Sequence, residues 1–89
     1  MIKIITRTNR FKKDYKLAIK QGKDISRFKE LLLLIINEQT IPIKYKDHSL
    51  INYDNCRECH IEPDWLLIYK IIKDELFLVR LGSHSELFS

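Results

Sequence analysis

Two nearly unbroken apolar runs, Trp65 to Ile72 and Leu76 to Leu81, are separated only by Lys73, Asp74 and Glu75. A connection this short favours an antiparallel hairpin. Both strands are apolar on both faces, so the sheet they form has to be covered by other elements. Upstream, Arg57 to Ile61 reads as a further strand that places Cys59 and Ile61 on one face and Glu58 and His60 on the other. Pro63 interrupts the pattern before the hairpin begins.

The covering material lies in the first half of the chain. Lys3 to Thr6 reads as a short strand, and Thr8 is placed to cap a helix whose apolar positions are Phe11, Tyr15, Ala18 and Ile19. Gly22 supplies a left-handed stop, and Asp24 is placed to cap a second helix. In that helix Ile25, Phe28, Leu31, Leu32, Ile35 and Ile36 make a broad stripe, widened by Leu33 and Leu34 and ending near Asn37 to Gln39. Thr40 to Asn55, with Pro42, reads as mixed and largely irregular. The expected architecture is α+β: an N-terminal strand and two helices packed on a mainly antiparallel, curved sheet whose other face borders a cleft.

At 89 residues this is expected to be one domain, residues 1–89, with a small core that a partner binding the folded form would reinforce. No apolar run approaches the ~20 residues of a membrane span, and the N-terminus lacks the pattern of an export signal, so a cytoplasmic protein without membrane contact is expected. The formal net charge of +4 is unevenly spread. Residues 1–30 hold ten Lys or Arg against three Asp or Glu, and the rest of the chain is slightly acidic. Such a basic third suits a polyanion or an acidic protein segment.

Cys56-Arg57-Glu58-Cys59-His60 has the spacing of a c-type haem attachment motif. That attachment occurs in exported proteins, a zinc site would need a second ligand pair, and a thioredoxin-type motif would need a helix where a strand is expected. Two reduced cysteines, one of them buried in the sheet, are the simpler reading, and no metal or cofactor is expected.

His48, His60 and His84 all lie in the second half, accompanied by Asp47, Glu58 and Arg80. Metal-free RNA scission needs a base for the 2′-hydroxyl, an acid for the leaving 5′-oxygen and a cation for the phosphorane charge. Histidine, Asp or Glu, and arginine supply these groups. No phosphate-binding glycine loop competes with that reading.

The segments Tyr45-Lys46-Asp47-His48, Arg57-Glu58-Cys59-His60-Ile61-Glu62-Pro63-Asp64-Trp65 and Arg80-Leu81-Gly82-Ser83-His84-Ser85-Glu86-Leu87-Phe88 resemble the signatures of YafQ-type toxins in the RelE/ParE superfamily. The resemblance runs through the whole chain. It implies a RelE-like fold, a ribosome-dependent, metal-independent mRNA endoribonuclease without cofactor, and silencing by a cognate antitoxin. It also implies an active-site set of His48, His60, Asp64, Arg80 and His84. His84 would be the general acid, Arg80 would stabilise the phosphate, and Asp64 with His48 or His60 would provide the base. Glu58, Trp65, Phe88 and Lys46 would contact substrate, the two aromatics by stacking on a base or by packing the cleft wall, with packing favoured for Trp65 because strand aromatics more often serve the core. The basic N-terminal third would grip ribosomal RNA while mRNA is cut.

In this sequence Ser49 follows His48 where the family usually has proline, and Asn52 falls near a usual glycine. Asparagine also visits the left-handed region. The competing expectation is a non-catalytic toxin of the same superfamily, gyrase-directed for example, or a subunit of a regulatory complex. The three histidines favour the nuclease.

Overall fold

A computed structural model describes residues 1–88. Along the chain run β1 (Ile4–Arg7), α1 (Asn9–Lys20), α2 (Ile25–Ile36), a 3₁₀ turn (Ile43–Tyr45), β2 (His48–Ser49), β3 (Arg57–Glu62), β4 (Trp65–Ile72), β5 (Glu75–Gly82) and α3 (His84–Phe88). The strands form one sheet in the order β1-β5-β4-β3-β2. Among the described residues, only the β1–β5 pair is parallel. The α+β architecture is the one the sequence pattern predicts.

The helices begin at the caps the sequence offers. Thr8 Oγ1 accepts the Phe11 amide at 3.0 Å, and Asp24 Oδ1 accepts the Ser26 amide at 3.1 Å. Gly22 takes the left-handed conformation, φ +74°, that closes α1. The same Thr8 hydroxyl donates to the Val79 carbonyl at 2.7 Å, tying the start of α1 to β5.

Both faces of the hairpin are covered, as its composition demands. Phe11, Ala18, Phe28, Leu31 and Ile35 from the helices pack on Cys59, Ile61, Trp65, Leu67, Tyr69, Leu76, Leu78 and Leu81. On the opposite face Leu66 and Ile68 meet a smaller cluster of Cys56 and Leu87, flanked by Leu50, Tyr53 and Val79. Cys56 and Cys59 are both free and buried, in clusters on different faces of the sheet.

Several expectations are corrected. Ile19 and Leu33 lie outside the buried stripes and are mostly solvent-exposed, because a 12-residue helix packed on a sheet buries only one side. The segment expected to be irregular contains the 3₁₀ turn and the two-residue β2. α3 has too few residues for a helical period to be readable. Glu75 belongs to β5, opposite Ile72, leaving a two-residue turn at Lys73 and Asp74. Asn52 takes the left-handed conformation, φ +69°, expected for a position usually held by glycine.

Candidate active site

Strand register brings together residues that are far apart in sequence. His48 lies opposite Glu58, Glu58 opposite Ile68, and Ile68 opposite Arg80, so the four share one row across the sheet. His60, Leu66 and Gly82 form the adjacent row. α3 begins two residues after Gly82 and delivers His84 beside His60. The face holding this cluster is the one opposite α1 and α2, since Cys59 and Ile61, which alternate with Glu58 and His60, face the helices.

The centre of the cluster is a buried carboxylate. Glu58 is 4% exposed, and its Oε1 lies 3.3 Å from Nε2 of both His48 and His60. Burial of an ionised carboxylate requires such partners. The three imidazoles form a file, with ring centroids 6.1 Å apart from His48 to His60 and 5.7 Å apart from His60 to His84. Phe88 extends the file 6.3 Å beyond His84, and Tyr53 stands edge-on to Phe88 at 6.2 Å. Phe88 is half exposed and free to meet a ligand.

Asp64 holds His84 twice, accepting its amide at 2.9 Å and its ring Nδ1 at 2.8 Å. These bonds keep the Asp64 carboxyl below the usual carboxylate range. The carboxylate oxygen accepts, so Nδ1 carries a proton and Nε2 is the nitrogen presented to a ligand. His48 is fixed in the same way at Nδ1, 2.6 Å from the Lys46 carbonyl oxygen.

The remaining sequence-predicted residues divide. Arg80 is 8% exposed and engaged by Asp14 of α1, through Nε at 2.7 Å and Nη2 at 3.2 Å. This pair raises the Arg80 pKa further above its already high value. Asp14 also accepts the Leu81 amide at 3.0 Å, beyond the point where β1 stops pairing with β5. The side chain of Lys46 is exposed and lines a cleft of about 570 Å³ with Arg27, Lys44 and His60. Of the two roles open to Trp65, the structure shows packing, and the contact with substrate expected of it is corrected. It is 1% exposed, on the helix side of the sheet, with Lys23 Nζ 5.9 Å from its ring centre. A base cannot reach it in this conformation.

Asp47 is also corrected, as a partner for His48. Its carboxylate turns instead to Arg57, Tyr69 and Cys59. Asp14 escaped the sequence reading because an acidic residue on an amphipathic helix is ordinary. The one available signal is that it is the sole acidic residue in a helix with four lysines and an arginine.

Metal binding received no support from sequence spacing, yet His48, Glu58 and His60 each offer a ligand atom, all within 4.8 Å of one another. Two imidazole nitrogens and a carboxylate oxygen suit zinc or copper, after a contraction of roughly 1 Å toward normal ligand distances. Away from the cluster, Lys12, Lys13, Lys16 and Lys20 on α1 are exposed, so the basic third presents its charge to solvent.

The family model described as "Bacterial toxin of type II toxin-antitoxin system, YafQ" matches residues 3–89. The chain belongs to the YafQ toxin family. The mRNA interferase toxin YafQ of Escherichia coli strain B is 43% identical over 83 residues, which cover 91% of this chain and 90% of that protein. The YafQ fold is shared along the whole length: YafQ in the E. coli DinJ-YafQ toxin-antitoxin complex matches with a TM-score of 0.92 at 40% identity, covering 100% of both chains. A metal-bound toxin from Helicobacter pylori matches with a TM-score of 0.92 at 45% identity, covering 99% of this chain and 100% of its own. Among the described residues of this YafQ-family chain, no helix is long and apolar enough to cross a membrane.

Proposed function

We propose that this chain is the toxin of a type II toxin–antitoxin pair and an endoribonuclease that cuts mRNA on the ribosome without a catalytic metal. The observation that carries this reading is the pairing of two histidine–carboxylate units, Glu58 with His60 and Asp64 with His84, whose rings are 5.7 Å apart. Membership of the YafQ family and the name mRNA interferase toxin carried by its E. coli relative support it.

The base and the acid each need to reach within about 3 Å of oxygens on the same phosphorus. His60 and His84 are neighbours and can straddle one phosphate, whereas His48 and His84 are separated by the width of His60. His60 is therefore assigned as the base and His84 as the acid. The 2′-hydroxyl proton passes to His60 as the 2′-oxygen attacks phosphorus. The bond from phosphorus to the 5′-oxygen breaks, and that oxygen takes a proton from Nε2 of His84. The products are a 2′,3′-cyclic phosphate and a 5′-hydroxyl end. Asp64 fixes the ring of His84 so that Nε2 meets the leaving oxygen, Glu58 orients His60, and Arg80 offsets charge on the phosphorane. Phe88 stacks on a flanking base.

The exposed lysines of α1 supply the ribosomal RNA contact, and a cognate antitoxin of the DinJ kind silences the toxin in the cytoplasm. The test is mapping of mRNA 5′ ends after brief induction without antitoxin. Cuts at in-frame codons should disappear in His84→Ala, a loss of at least about a hundredfold, and when translation is blocked. Growth arrest with intact transcripts would exclude the nuclease and point to another target.

A second reading concerns His48, Glu58 and His60 as holders of a single transition-metal ion, favoured by their spacing and by the metal-bound state of the H. pylori relative. An ion there would claim His60, the imidazole assigned as base. It would act as an inhibitor.

A further inference from the structure

We infer that Asp47, Arg57 and Tyr69 are positioning residues for His48, holding its ring in one orientation against Glu58. The catalytic consequence of this inference rests on the nuclease reading above.

β2 consists of His48 and Ser49 alone, paired with Glu58 and Arg57 at the edge of the sheet. Two residue pairs at an edge are a weak hold, and such segments open easily. The rest of the hold comes from the other side of the strand. The Asp47 carboxylate accepts from Arg57 Nε and Nη2, both at 3.1 Å, and from the Tyr69 hydroxyl at 2.9 Å. The Cys59 thiol approaches it at 3.5 Å. Arg57 Nη1 donates to Ser49 Oγ at 3.0 Å. Cys59 and Tyr69 belong to the helix-side core, so Asp47 is anchored to buried side chains.

That anchorage has a backbone consequence one residue earlier. Lys46 takes φ +49°, the left-handed region, which a side chain other than glycine adopts at a cost unless its surroundings hold it there. In this conformation its carbonyl oxygen lies 2.6 Å from His48 Nδ1. A carbonyl can only accept, so Nδ1 donates this bond, and the same ring orientation turns Nε2 toward Glu58 Oε1 at 3.3 Å. Glu58 Oε1 is also the partner of His60. A continuous chain of contacts thus runs from the core through Asp47, the Lys46 carbonyl, His48 and Glu58 to the imidazole assigned as base.

The test reads the ring nitrogens of His48 by two-bond ¹H–¹⁵N spectroscopy in buffer containing EDTA, on the whole protein and its Asp47→Ala, Arg57→Lys and Tyr69→Phe variants. The wild type is expected to show the Nδ1-protonated signature at His48. Asp47→Ala should lose it, Arg57→Lys should retain part of it, and His84 should be unchanged in every variant. Single-turnover cleavage of ribosome-bound mRNA should fall about tenfold in kcat for Asp47→Ala, with KM little affected. Should Asp47→Ala not fold, Tyr69→Phe keeps the ring and its packing and carries the same readout with a smaller loss. A folded Asp47→Ala or Tyr69→Phe with the wild-type His48 signature would overturn the inference. So would wild-type cleavage by a variant that has lost the signature. A wild type that cuts no mRNA, together with loss of the signature in Asp47→Ala, would leave the positioning role standing and reject the nuclease reading instead.

Discussion

Glu58 and Asp64 each hold an imidazole, but the side chain of Glu58 is 6% exposed beneath His48 and His60, whereas that of Asp64 is 67% exposed beside His84. The buried side of the site is part of the fold. Its carboxylate has exchanged water for two imidazole partners, and those partners sit on strands whose register is fixed by the core. The exposed side is held by two hydrogen bonds on a five-residue helix after β5, in contact with solvent that competes for every bond. One half of the chemistry is built in, and the other half is free to adjust to a substrate.

The largest expected difference between the two sides comes from removing the buried charge. Glu58→Gln should reduce single-turnover mRNA cleavage about a hundredfold and also lower the thermal midpoint, since it unpairs two imidazoles at once. A variant with a lowered midpoint but intact cleavage would show that Glu58 serves the fold alone. Metal inhibition separates the halves next. Zn²⁺ or Cu²⁺ should suppress cleavage, EDTA should restore it, and calorimetry should lose the binding in His60→Ala while keeping it in His84→Ala. Binding that survives His60→Ala would place the ion elsewhere.

Asp64→Asn should cost only about fivefold in cleavage, because solvent screens an exposed ion pair. Its pH behaviour has a definite sign. The Asp64 carboxyl is held below its ordinary value by the amide and ring of His84. The stabilisation is therefore complete above the unfolded value of about 3.9 and is lost as pH falls through the lower folded one. Carboxyl ¹³C titration should give an Asp64 midpoint below that of an unstructured aspartate, and a midpoint at or above it would remove the proposed hold on His84. The smallest effect is expected at the cysteines. Burial first, and then Asp47, push the Cys59 thiol up to about 12, and burial also raises Cys56. Iodoacetamide at pH 8 should leave both unmodified in the folded protein, and mass spectrometry would detect any labelling.

Much of this was legible before any coordinates. Thr8, Gly22 and Asp24 announce the helix ends because capping chemistry is local, and the hairpin announces itself by its apolar content and short turn. The alternation in β3 places Glu58 and His60 on one face. Trp65 could not be settled from its residue type, since an aromatic in a strand fits both a core and a stacking surface. Asp47 beside His48 suggested a direct partnership, but its carboxylate turns to Arg57 and Tyr69, groups brought to it by β3 and β4 that no local pattern records.

The sequence by itself determined the α+β order of elements, the positions of the helix caps and the three motifs that mark the YafQ family, all of which depend on spacing along the chain. Tertiary structure decided which of the motif residues meet. Counted by alternation, Leu78 and Arg80 share a face. The register shift in β5 adds Val79 as an extra residue, so that Leu78 pairs with Tyr69 and Arg80 with Ile68. Leu78 faces the helices, and Arg80 joins the row that leads to Glu58 and His48. A bulge shifts every later residue to the other side, and strand register is set by packing between segments distant in sequence. The same physics joins Asp14 to Arg80 across 66 positions, a meeting that no local pattern records.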